Sequence, residues 1–176
     1  CHTCHAMQEP AADGVRRVGH EIGSATARPN WKNGRVDTLL DAVNSCRQHW
    51  MNAAAWPVDD PSWLALLEWL QAHAPAAAPA VRIQIAAPPE VLGGGDAIAG
   101  KTLFNWGCSM CHGQDAAGTI RAPMLAGAQL GAAYIARRVR TSGPANAPIY
   151  DGLTGGIMPF WGTDRLSDVE LRNLIA

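Results

Sequence analysis

One pentapeptide occurs twice in the chain, as Cys1-His2-Thr3-Cys4-His5 and as Cys108-Ser109-Met110-Cys111-His112. C-x-x-C-H is the attachment signature of a c-type haem. Two thiols three positions apart on a helical turn can add to the two vinyl groups of one porphyrin. The adjoining His then lies beneath the iron as its proximal ligand. A bare C-x-x-C also fits a zinc site or a dithiol redox pair. Zinc asks for a second pair of ligands at a fixed spacing, which neither copy has, and His follows the motif both times. The duplication therefore predicts two covalently bound c-type haems, attached through Cys1, Cys4, Cys108 and Cys111. His5 and His112 are the predicted proximal ligands.

The rest of the composition fits that reading. Five cysteines leave Cys46 outside both motifs, either a small buried hydrophobe or an iron ligand or nucleophile. At 48% hydrophobic, 16% charged and a net charge of −1, the chain is globular, and no basic excess marks a nucleic-acid binder. No apolar run approaches the roughly 20 residues of a membrane span. Only 6% of residues are aromatic, so something other than protein is expected to fill part of the core.

Residues 74–95 are rich in Ala and Pro and end in Gly93-Gly94-Gly95, which reads as a linker. It separates an N-terminal domain, 1–73, from a C-terminal domain, 96–176. Units this small bury little surface unaided, and a covalent haem supplies the missing core. Asp60-Pro61 is an N-cap with Pro at the first helical position, followed by Leu64, Leu66, Leu67 and Leu70. Asp96 caps a helix leading into Cys108. Ser167 and Glu170 form a capping box, with Leu166, Val169, Leu171, Leu174 and Ile175 as the apolar stripe of the last helix. The chain reads as clipped at both ends, starting at one motif and stopping within that helix.

Residues 96–176 resemble class I cytochrome c. The features that carry the resemblance are Gly100 and Phe104 on the first helix, C-x-x-C-H-G, the Pro loop around Pro123, and Gly156-Ile157-Met158-Pro159 before the last helix. The resemblance implies an all-α fold with the haem in a cleft, Met158 as distal ligand, and the Pro123 carbonyl orienting His112.

The distal ligand of the first haem has more than one candidate. The spacing of 46 positions from His112 to Met158 recurs from His5 to Met51, and nine positions then lead to a helix cap in each half. By internal repeat Met51 takes the methionine's place, and His49 is a further rival. Against this stands Cys46. Asn44-Ser45-Cys46, then Met51-Asn52 and the Leu/Ala helix after Asp60-Pro61, is similar to the haem-thiolate domain of bacterial thiosulfate dehydrogenases and to the thiolate-haem subunit of the Sox system. The order of thiolate haem then methionine haem matches the thiosulfate dehydrogenases. The resemblance implies that Cys46 is the distal ligand and lies at the site of sulfur chemistry.

Thiolate and thioether ligation set different reduction potentials, so electrons would run from the first haem to the second and on to a redox partner protein. The resemblance implies oxidation of thiosulfate to tetrathionate, with Cys46 and Arg47 as catalytic residues. Arg16, Arg17, Arg28, Lys32, Arg35 and Arg47 make a local positive excess that would attract a small anionic sulfur substrate. The same excess also reads as a solvated basic face. The competing class is a non-enzymatic dihaem electron carrier, or an electron-transfer subunit of a larger complex. Haem attachment in bacteria takes place outside the cytoplasm, so a periplasmic or exported protein is expected.

Overall fold

The structure, a computed structural model, describes residues 1–142 and 158–176. Among these the fold is all-α, built of helices and short 3-10 turns, with one isolated bridge pair between Trp31 and Val36 and no strand. The chain forms two compact units. One comprises Cys1–Ala12 and Gly19–Ile83, the other Asp13–Val18 and Gln84–Ala176. The division at Ile83 falls within the Ala/Pro/Gly stretch, which carries no helix or strand, while Asp13–Val18 joins unit 2 although the sequence reading placed it in the N-terminal domain. Its first part is tied to unit 1: Ala78 N donates to the Ala27 carbonyl at 3.2 Å, and the Asn33 amide brackets the Ile83 backbone at 2.8 and 2.9 Å.

Unit 1 holds α1 (Leu39–Trp50) and α2 (Pro61–His73). Thr38 opens α1 with a capping box, its hydroxyl accepting from Asp41 N while Asp41 accepts from Thr38 N. Asp60 opens α2 as the sequence predicts, accepting from Ser62 N at 2.8 Å and Trp63 N at 3.3 Å. The buried face of α2 is centred on Trp63 and Leu70, seven residues apart, with Leu66 and Leu67 between them. Leu64, the first of the leucines after the N-cap, is half-exposed. Trp63 displaces it because the larger side chain, one position earlier, sits in register with Leu67 and Leu70.

Unit 2 holds α3 (Ala97–Gly107), α4 (Ser109–His112), α5 (Ala132–Thr141) and α6 (Asp168–Ile175). Helices α3 and α6 pack closely together. Gly100 makes the approach possible, since a Cβ there would lie 1.9 Å from the Asn173 carbonyl oxygen. The core beneath is Ala136, Val139, Trp161, Leu166 and Leu171, with Val18, Leu92, Met158, Leu174 and Ile175 packed on it. Full burial of Leu171 alone contributes about 1.5–3 kcal/mol of transfer free energy. Val169, expected on the α6 stripe, is 56% exposed. Two residues are about 200° of helical rotation, which places it opposite Leu171.

Candidate haem-iron sites

Both pentapeptides fold as the same single turn. Cys4 N and His5 N donate to the Cys1 carbonyl at 3.0 and 2.9 Å, and Cys111 N and His112 N donate to the Cys108 carbonyl at 3.2 and 3.0 Å. Each turn presents two thiols one helical turn apart, and none of the five cysteines forms a disulfide.

The two imidazoles are anchored alike. His5 Nδ1 lies 2.6 Å from the His20 carbonyl oxygen, and His112 Nδ1 lies 3.1 Å from the Pro123 carbonyl oxygen. A carbonyl can only accept, so the proton is on Nδ1 in both rings and the ring lone pair is on Nε2. That is the tautomer a proximal iron ligand needs. Gly19 gives the His5 ring its room, for a Cβ there would stand 2.2 Å from the imidazole Cε1. Beside Cys108 lies an apolar hollow lined by Leu103, Trp106, Trp161, Leu166 and Leu174. Burial, together with Cys111, pushes the Cys108 thiol up to about 12. Paired thiols and the Nε2 lone pair fit a covalently attached haem at each turn, and at the second the apolar hollow adds to the fit.

Cys46 belongs to the same unit as the first turn and is half-buried on α1 next to the buried Ser45. Burial pushes its thiol up, and Cys4 is close enough to push it further, while Lys32 pulls the other way. Lys32 Nζ donates to the Ser45 hydroxyl. Met51 behaves otherwise. It is the C-cap of α1, its amide donates to the Cys46 carbonyl at 3.3 Å, and it is 49% exposed. His49 is exposed on the same helix.

Arg47 is fixed locally. Its Nε donates to the Ala54 carbonyl at 3.0 Å, and the guanidinium lies 3.7 Å from the centroid of the Trp56 ring. Asn44 clamps the same loop, donating to the Trp56 carbonyl at 2.9 Å and accepting from Trp56 N at 2.7 Å. Of the remaining cations read as an anion pocket, Arg28 pairs with Glu21 at 2.5 Å and donates to Ser24. Arg16 pairs with Glu170 and Arg17 with Asp13, both within unit 2. Arg35 is exposed.

Met158 packs against the unit 2 core, and its carbonyl accepts from the Ser142 hydroxyl. The Gly155, Gly156 and Ile157 of its expected loop lie outside the described residues. Sequence reasoning missed the His20 carbonyl, the Asn44 clamp and the buried Arg140. Backbone acceptors leave no residue-type signal, and Arg140 hid within an amphipathic stretch.

Such a site on an all-α frame is that of a c-type cytochrome, and residues 97–176 match the family described as Cytochrome c. The chain is also 28% identical over 132 residues to the thiosulfate dehydrogenase of Allochromatium vinosum, covering 69% of this chain and 47% of that one. It therefore spans about half the length of the curated relative it matches. Residues 97–176 are thus a cytochrome c domain, which implies electron transfer with covalently bound c-type haem, and the chain resembles the thiosulfate dehydrogenase family. No described helix is long and apolar enough to cross a membrane.

Proposed function

We propose that this cytochrome is a periplasmic dihaem oxidoreductase that joins two thiosulfates into tetrathionate at the first site and passes the electrons out through the second. The observation that carries the reading is the contrast on α1. Cys46 is half-buried and within electrostatic reach of Cys4, while Met51 is turned half into solvent. On this reading Cys46 would cap the first iron and Met158 the second. The likeness to a thiosulfate dehydrogenase supports the choice of substrate.

When bound, the two haems supply a pair of one-electron acceptors of unlike potential. The chain's residues supply the rest. Cys1, Cys4 and His5 hold the first group, and Cys108, Cys111 and His112 the second. His20 and Pro123 fix the two proximal imidazoles through their carbonyls. Arg47, held by Ala54 and stacked on Trp56, offers a fixed positive charge one residue from Cys46 to a sulfonate end. Lys32, bonded to the Ser45 hydroxyl, adds a second charge on that side. The reaction forms one S–S bond between two sulfane sulfurs and releases two electrons and no proton. It therefore needs no general acid or base beside the cysteine.

The second reading, a dihaem carrier without activity of its own, is favoured by the pairing of Arg28 with Glu21, which removes one cation from the substrate's reach. Turnover decides between them. The haem-loaded protein with thiosulfate and ferricyanide should yield tetrathionate, and Cys46→Ala should abolish it while the second haem still titrates. Absence of turnover with both haems intact overturns the enzymatic reading.

A further inference from the structure

The end of α5 grips the segment that begins at Met158. The Ser142 hydroxyl donates to the Met158 carbonyl. Trp161 N donates to the Val139 carbonyl at 2.8 Å. Arg140 Nη1 donates to the Trp161 and Leu166 carbonyls at 2.9 and 2.7 Å, and Nη2 to Asp168 at 2.6 Å. Both Arg140 and Ser142 are wholly buried. Arg140 therefore sits in the core as a cross-brace for carbonyls that no helix or strand would otherwise satisfy.

Ser142 is the informative residue. It follows the last residue of α5 with φ 63°, in the left-handed region where glycine is at home and a side chain carries a steric cost. A serine kept there gains nothing from the backbone. Its return is the hydroxyl bond to the Met158 carbonyl, which fixes the main chain from which the thioether projects.

We propose that the C-terminal turn of α5 is the clamp that positions Met158, with Ser142 as its positioning residue, so that the strength of the sulfur–iron bond at the second site depends on a hydroxyl that never touches the iron. This rests on Met158 being the distal ligand. Groups one step behind a metal ligand typically change its hold roughly 10–100-fold.

The test uses the haem-loaded chain, followed by the far-red thioether-to-iron charge-transfer band of the oxidised protein during a pH titration. Ser142→Gly relieves the left-handed backbone and removes the CH2OH side chain, and with it the hydroxyl. The band should be lost at a midpoint about 1–2 pH units lower than in the parent, without a drop in the thermal unfolding temperature. An unchanged midpoint in Ser142→Gly, with the band absent from Met158→Ala, overturns the clamp and leaves the ligand assignment standing. A band that survives in Met158→Ala overturns both. If the glycine variant is less stable than the parent, Ser142→Asn decides, since Asn also tolerates this backbone and restores a donor. Recovery of the midpoint supports the clamp, and no recovery overturns it.

Discussion

The imidazole Nδ1 of His5 lies 2.6 Å from the carbonyl oxygen of His20, reproducing in unit 1 the arrangement of His112 and Pro123 in unit 2. The two rings are held from behind by the same kind of bond and carry their protons on the same nitrogen. Under the dihaem reading, a difference in potential between the two centres would come from Cys46 and Met158 rather than from the two imidazoles.

Gly19 is what allows the first of these bonds. A methyl group there would run into the imidazole, whose position is set by the bond from Nδ1 to the His20 carbonyl. Gly19→Ala should cost about 1–3 kcal/mol by overpacking, measured by guanidinium unfolding of the haem-loaded protein. It should also perturb the low-spin EPR signal of one haem only. Unaltered spectra and stability would contradict the placement of His5.

Gly100 faces a harder obstacle, because what its Cβ would meet is the backbone of α6 at Asn173 rather than a side chain that can swing aside. Gly100→Ala should therefore lose at least about 1–3 kcal/mol, despite alanine's better helix propensity of about 1 kcal/mol. A neutral or stabilised variant would show that α3 and α6 cross elsewhere.

The two sulfurs of α1 should part company when removed singly. Cys46→Ala should change the EPR signal assigned to the first haem, whereas Met51→Ala, at a half-exposed helix end, should leave it unchanged. The opposite pattern would return the ligand to Met51, as the 46-residue repeat by itself suggests.

Acid should loosen unit 2 through Glu170. Burial pushes its carboxyl up, but the bonds from Ser167 and Arg16 outweigh burial and hold it below its ordinary 4.5. A carboxyl lowered on folding contributes stability above its unfolded pKa and loses it as pH falls through the folded value. Glu21 carries the same sign, with the Ser24 and Arg28 bonds outweighing burial. Unfolding free energy should therefore fall as pH drops below about 4.5, and Glu170→Gln should flatten that slope. An acid slope equal to the parent's in Glu170→Gln would sink this account.

Much of the frame was legible because it is written in local chemistry. The Asp60 and Asp96 caps and the Ser167–Glu170 box need only residue type and spacing, and each forms as read. Helical stripes were read less well. Val169 is apolar and close to the right position, yet a helix turns about 100° per residue, so two places decide which face is buried. At the sites, the attachment turns were plain from cysteine spacing. The His20 carbonyl was not, since unit 1 has no Pro loop to mark it and every residue owns a carbonyl. Arg140 was hidden for the opposite reason. A charged side chain reads as solvent-facing unless the carbonyls that receive it are known in advance.

The pair of hydrogen bonds between Asn44 and Trp56 has a consequence for how this region can vary. One amide side chain takes both backbone groups of a residue twelve positions on, so helix and return loop are stapled at a single rung. The chain between the staple's ends behaves like a belt of set length. Lengthening it by one residue would slide Trp56 out from under Arg47 and draw on the turn that bears Cys46. Surface residues on that belt are free to drift, but their number is not.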